Sequence, residues 1–288
     1  MKNNVVTCRP STFMLVAILS PVLAAGQTRT QPAKAGILLE EWQRGVCFTP
    51  AANPGMKMYL WFYEWTLFDA IVPGQHSHGQ YQNPRHVSPS EAWIEAPQLH
   101  LRIRAAEDGA DLELTATNKT DTNWPELASI IPCFNPGPQG SRNEAFTDEG
   151  HEKTFFRGPS GFERLEQREI HFNARFKDLL RAVSPDLSFV FSQKWPTSDR
   201  DAVTGLLIRV SRGGDWVAGI AWEDFVSVQG HNPWFCMHLS VRVGPLAPGQ
   251  ARKIRGKVYL FKGTREDLWE KHRAQFPSVV QDDRSRPR

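Results

Sequence analysis

Two segments carry histidines in surroundings that suit chemistry better than core packing: Pro73-Gly-Gln-His76-Ser-His78-Gly-Gln-Tyr81, and Gly230-His231-Asn232-Pro233-Trp234-Phe235-Cys236-Met237-His238. Both mix Gly, Pro, Asn or Gln with aromatic residues, the composition of loops that present polar groups to a ligand. His76 and His78 stand at i and i+2. In an extended chain that spacing puts both imidazoles on one side, where they can chelate a divalent metal with a third ligand such as Glu64, His231 or His238. The same two imidazoles can equally hydrogen-bond a substrate. A divalent metal is therefore the one candidate cofactor, because the chain has no Gly-x-Ser-x-Gly elbow, no phosphate-binding loop, no dinucleotide fingerprint and no Cys-x-x-Cys.

Further candidates surround these histidines. Glu64 interrupts the aromatic runs Tyr59-Leu-Trp61-Phe-Tyr63 and Trp65-Thr-Leu-Phe68, and a carboxylate there needs a partner or a raised pKa. Along residues 237–243, Met237, Leu239, Val241 and Val243 share one face of a strand, and His238, Ser240 and Arg242 share the other. In the preceding strand Trp216, Ala218, Ile220 and Trp222 oppose Val217, Gly219, Ala221 and Glu223, and small residues beside a carboxylate leave room for a ligand. Glu223 with His238 is the resulting acid/base pair, with His76, His78 and His231 as further catalytic candidates. Trp61, Trp222 and Trp234 are candidate stacking platforms, and Glu64, Tyr81, Arg85, Asn232 and Arg242 are candidate polar or edge contacts to substrate. Each also has a plainer use, as core aromatic, structural ion pair or strand-end surface group.

The elements that must position these groups are strands. Leu99, Leu101 and Ile103 alternate with His100, Arg102 and Arg104; after Asp108-Gly109, Leu112, Leu114 and Ala116 alternate with Asp111, Glu113, Thr115 and Thr117. This is an antiparallel hairpin with one wet face, on which His100 lies. Period-two patterning predicts further strands at 57–71, 91–96, 127–134, 187–192, 203–211, 215–223, 236–243 and 252–262. Helix is expected only near 174–183 and after Thr264, whose hydroxyl can cap Arg265-Glu266-Asp267 ahead of a stop at Pro277; His272 then falls on the helix surface. The stretch from Asn135 to Gly161 reads as loop, and Asn118-Lys-Thr as a turn despite its glycosylation pattern. The fold class is all-β, one large antiparallel sandwich with a short C-terminal helix.

Lys2 and Arg9 precede an apolar run from Phe13 to Leu23, followed by Ala24-Ala25-Gly26. That is the pattern of a cleaved secretory signal over 1–26, leaving a single β-sandwich domain over 27–280 and a disordered tail at 281–288. The run is shorter than the ~20 residues of a membrane helix, so a periplasmic or secreted chain with no membrane span is expected. Loss of Lys2 and Arg9 takes the formal net charge from +3 to +1. Near neutrality, with scattered cations, excludes nucleic acid as a partner. Cys8 leaves with the signal, so Cys47, Cys133 and Cys236 allow at most one intramolecular bridge, its pairing open. Ten Trp and seventeen Phe suit a carbohydrate ligand as well as a large core. Nothing in the sequence sets an oligomeric state.

The run Asp111-Leu-Glu-Leu-Thr-Ala-Thr-Asn118-Lys-Thr-Asp121, with Trp124-Pro-Glu126 and Ile130-Ile-Pro132-Cys133-Phe134-Asn135, resembles the central strands of galactose mutarotase-like supersandwich proteins. Cys236-Met-His238 and Gly244-Pro-Leu-Ala-Pro-Gly249-Gln resemble that family's Cys-Val-Glu strand and its later turn. The resemblance spans residues 90–262 and implies a supersandwich with a sugar-sized groove. It also implies a general acid at the position held here by Ile131 and a general base at the position held by His238. An isoleucine cannot protonate a ring oxygen, so plain aldose 1-epimerisation is not expected. Three classes of function remain: an exported carbohydrate-active lyase, epimerase or hydrolase; a non-catalytic carbohydrate-binding protein; and a structural protein of the cell envelope.

Overall fold

The structure, a computed structural model, describes residues 36–42, 45–61, 85–179, 197–231 and 234–277. In chain order the strands are β1 (Ile37–Trp42), β2 (Gly45–Pro50), β3 (Met58–Trp61), β4 (Arg85–Val87), β5 (Glu91–Ala96), β6 (Leu99–Ala106), β7 (Gly109–Thr117), β8 (Ser129–Ile130), β9 (Cys133–Asn135), β10 (Thr154–Gly158), β11 (Gly161–Arg164), β12 (Ile170–Phe172), β13 (Leu206–Val210), β14 (Trp216–Trp222), β15 (Phe225–His231), β16 (Cys236–Arg242) and β17 (Ala251–Lys262), followed by helix α1 (Arg265–Gln275). They form two antiparallel sheets. The first is eight-stranded, in the order β1-β2-β3-β9-β16-β15-β12 with β8 also on β16; the second is nine-stranded, β11-β10-β13-β14-β17-β7-β6-β5-β4. The fold is thus the all-β sandwich that the period-two patterning predicts, with one short helix near the C-terminus.

The hairpin shows how directly alternation sets the fold. Leu99 pairs with Ala116, Leu101 with Leu114 and Ile103 with Leu112, and all six are buried in the main core. Gly109 takes φ +152 against β17, where a Cβ would strike the Val258 carbonyl oxygen at 1.8 Å. Only glycine fits that close approach. Arg102 and Arg104 stay on the wet face with Glu91, and His100 lies 3.3 Å from Glu95 there.

Facing them across the core, the eight-stranded sheet contributes Val46, Phe48, Met58, Leu60, Phe134, Met237, Leu239 and Val241. The parity read along residues 237–243 therefore holds, and His238, Ser240 and Arg242 point away from the other sheet.

Several expectations need correction. Trp216, Ala218, Ile220 and Trp222 do share the core face, but the small residues opposite leave room for a helix, not for a ligand. Val217 and Ala221 pack under α1 with Leu268, and a Cβ at Gly219 would lie 3.0 Å from Leu268. Thr264 does cap α1, through a full capping box with Asp267. His272, however, is buried rather than on the surface, against Trp269, Phe276 and Tyr259, because this helix seats an aromatic face on the sheet. The stretch from Asn135 to Gly161 is not all loop. It holds a 3-10 turn at Glu144–Phe146 and β10, whose Phe156 is core. Asn118 makes a turn as expected, its side chain accepting from the Thr120 amide and donating to the Thr122 and Leu246 carbonyls.

Candidate functional site

The outward face of the eight-stranded sheet is polar and yet buried. Register places Trp61 opposite Cys133, Cys133 opposite His238, and His238 opposite Gln229. Residues directly opposite in an antiparallel ladder share a face, so these four side chains make one row across β3, β9, β16 and β15. Ser240 and Ser227, opposite each other, and Asn135 and Tyr59, opposite each other, form the rows on either side of it. His238 is 2% exposed, Gln229 3%, and Ser227 and Ser240 are fully buried. An ordinary outward sheet face is solvated. Ser240 donates to Ser129 at 3.1 Å, but the Ser227 hydroxyl and Gln229 Oε1 meet no hydrogen-bond partner among the described residues. Buried polar atoms in that state are rare and point to water or a ligand.

At the centre of the row Cys133 and Cys236 form a disulfide between neighbouring strands. The two sulfurs and a ring nitrogen of His238 lie within 4.8 Å of one another. Over them stands an aromatic wall: Trp61 is edge-on to Trp234 with centroids 5.3 Å apart, and Trp42 is edge-on to both Tyr59 and Trp61. Trp42 and Trp234 are only partly buried. Cys47, the free thiol, lies two strands away opposite Tyr59. Burial pushes its pKa up to about 11, so it is an inert thiol at neutral pH.

The turn carrying Trp234 into β16 is anchored from the other sheet. Arg209, fully buried on β13, donates to the Phe235 carbonyl at 2.6 Å and to the Thr154 hydroxyl at 2.7 Å, and its Nη2 lies 3.0 Å from His151 Nδ1. Burial pulls its pKa down to about 10 against the opposing pull of Asp148, whose carboxylate lies 3.9 Å away. Phe235 is held at φ +56, a conformation that non-glycine residues keep only where the surroundings enforce it. The guanidinium of Arg209 holds the Phe235 carbonyl, and that of Arg142 lies over the Phe235 ring, 4.6 Å from the centroid.

The predicted residues fall into three groups. Trp61, Trp234 and His238 come together on the face just described. Arg242 shares the face but is committed to a network: it donates from Nε and Nη2 to Asp224, and from Nη1 to Glu126 at 2.6 Å and to the Gly244 carbonyl. Arg252 also binds Asp224, and Phe176 closes the end with its ring 4.9 Å from the Arg242 guanidinium. Glu223 and Trp222 do not join them. Trp222 is fully buried between the sheets. Glu223 accepts from the Arg255 backbone and guanidinium on the nine-stranded sheet, so the structure does not bring the Glu223–His238 pair together. The backbones of His231 and Arg85 end β15 and begin β4, and their side chains lie outside the described residues. So do Glu64, His76, His78, Tyr81 and Asn232, and with them the His-x-His metal proposal. Sequence reasoning missed Cys133 and Cys236 as part of the site, and Ser227, Gln229 and Arg209. The cysteines carried a usable signal, since each stands inside a motif of the family resemblance.

No family model matches the chain, and no curated protein does. Among solved structures the chain is similar to a galactose mutarotase-like protein from Lactobacillus casei, at 13% identity over 78% of this chain and 100% of that one, with TM-score 0.40. An aldose 1-epimerase-like protein from Klebsiella pneumoniae aligns at 17% identity over 78% and 66%, TM-score 0.37. A polysaccharide lyase aligns at 11% identity over 83% of this chain and 35% of its own length, TM-score 0.42. The first two are mutarotase-like or aldose 1-epimerase proteins by name, the third a lyase by name, and all three are similarities of fold. At such scores the functional argument rests on the residues of this chain.

Proposed function

We propose that this is an exported carbohydrate-active protein whose ligand site is the outward face of the eight-stranded sheet. The observation that carries this reading is the buried polar patch of Ser227, Gln229, His238 and Ser240 beside the aromatic wall of Trp42, Tyr59, Trp61 and Trp234. Flat rings take up sugar C–H faces, and the polar row supplies the hydrogen bonds that orient hydroxyls. His238 is the proton-transfer group, standing on the strand at the position where the mutarotase resemblance implies a general base. His76 and His78, with or without a divalent metal, are proposed as its partners. The 1–26 signal pattern supports export, and the Cys133–Cys236 bridge suits an oxidising compartment.

A non-catalytic binding role is the second reading. It is favoured by Trp42 and Trp234, which are only partly buried and so offer the open stacking surface that a binding module needs. One experiment separates the two: incubate the full chain with uronic-acid and neutral oligosaccharides, reading unsaturated products by ultraviolet absorbance and new reducing ends by colorimetry. The enzyme reading expects turnover that falls by about 100-fold or more in His238→Ala. Binding without turnover on every substrate establishes the second reading, and neither binding nor turnover overturns both.

A further inference from the structure

We propose that Cys133, Cys236 and His238 form a thiolate–imidazole site for a borderline-soft divalent metal such as zinc, created when the disulfide is reduced. Metal and disulfide are then alternative states of one cluster. The site stands on register. Cys133 and His238 are direct partners across β9 and β16, and Cys236 precedes His238 by two, so all three side chains leave the sheet on the same face. Their donor atoms already lie within 4.8 Å of one another, all three residues buried. A tetrahedral zinc ion binds sulfur at about 2.3 Å and nitrogen at about 2.0 Å, which separates its ligand atoms by about 3.5 Å. Side-chain rotation alone covers the difference, on two Cα atoms 5.6 Å apart. Two thiolates and an imidazole are a zinc-type set, and three protein ligands leave a fourth position open.

The balance is complete. An external dithiol gives two electrons and two protons to the Cys133–Cys236 bond and closes to its own disulfide. The ion then binds the two sulfurs and the neutral His238 ring, releasing both thiol protons to solvent. Cys47 stays outside, its thiol engaged with Thr49 at 3.6 Å.

This inference goes beyond the carbohydrate reading and fails separately from it, because the oligosaccharide experiment uses the oxidised chain. The test is titration of the full chain carrying Cys47→Ser with Co2+ under anaerobic conditions, before and after reduction, followed by displacement with Zn2+ and elemental analysis. The expected result is one ion per reduced chain, a near-ultraviolet thiolate-to-cobalt band that Zn2+ abolishes, and no binding by the oxidised chain. His238→Ala should weaken binding by more than about tenfold, the scale already seen when groups that merely orient a ligand are lost. A reduced chain that keeps its far-ultraviolet circular dichroism but shows no band overturns the proposal. So does equal binding by the oxidised chain, or unfolding on reduction that Zn2+ does not prevent. Unchanged affinity in His238→Ala removes the histidine and with it the site as proposed.

Discussion

Breaking the Cys133–Cys236 bond is the perturbation whose magnitude the structure sets most directly. The two residues are 103 positions apart in sequence, so the bridge closes a loop that takes in β10 to β15. In the chain-entropy treatment a loop of that length restricts the unfolded ensemble by about 4.7 kcal/mol at 25 °C. That is a large share of the ~5–15 kcal/mol that separates folded from unfolded states in most domains. The native state gains little else from the bond, because β9 and β16 are already hydrogen-bonded neighbours. At about 2–4 °C per kcal/mol for a chain of this size, the melting temperature should fall by roughly 10–20 °C. The assay is calorimetry of the oxidised chain against the Cys133→Ala/Cys236→Ala double variant. A shift below about 2 °C would refute the reasoning, showing that the unfolded chain is not released by losing the cross-link.

Three other outcomes follow from buried charge and from exposed charge. Burial pushes the pKa of His272 down to about 3 and that of His171 to about 4; both are neutral in the fold and protonate on unfolding. The stability they contribute is present above the ordinary value of 6.5 and is lost as pH falls below it, by about 1.4 kcal/mol per unit for each ring. Urea denaturation at pH 7 and pH 5 should therefore differ by about 2 kcal/mol per histidine, and His272→Phe should remove its share of that difference; an unchanged slope argues against the buried neutral ring. Arg209→Met should cost about 3–5 kcal/mol, since Asp148 and the Phe235 carbonyl lose their buried partner, and Arg209→Lys should not restore it because lysine lacks the planar fork; chemical denaturation of both variants reads this. Glu223→Gln should cost under about 1 kcal/mol, its arginine partner being 60% exposed, and should leave turnover unaltered; a loss of activity would return Glu223 to the site.

Alternation made much of this legible. The β6–β7 hairpin, the strand at 91–96 and the parity that sends His238 outward all follow from period two alone, because a strand buried on one face must alternate. The same logic found Trp216, Ala218, Ile220 and Trp222 on the core face. It could not say what covers the other face of β14, since small residues are equally suited to a ligand and to a packed helix. β2 went unseen because Gly45–Pro50 is buried throughout and shows no alternation, and β1 because Leu38 sits exposed between buried Ile37 and Leu39, which hides the alternation from residue type. Phe225–His231 is not among the expected strands, and only its end, Gly230-His231, falls in a segment of loop-like composition, yet it is a full strand whose Ser227 and Gln229 lie on the buried polar face. No local pattern marks Arg209 as the anchor of the Trp234 turn. A charged residue inside the apolar run Leu206-Leu-Ile-Arg-Val210 was the available hint.

The central claim is that ligand binds on the outward face of the eight-stranded sheet, and ligand-induced thermal stabilisation tests it most directly. With an oligosaccharide at 100 times its dissociation constant, linkage predicts about 2.7 kcal/mol of added stability in the wild-type chain. Trp234→Ala, on the aromatic wall, should lose most of that shift. Trp269→Ala, which alters the α1 face instead, should retain it at whatever basal stability it has. A shift that survives in Trp234→Ala and disappears in Trp269→Ala would contradict the account.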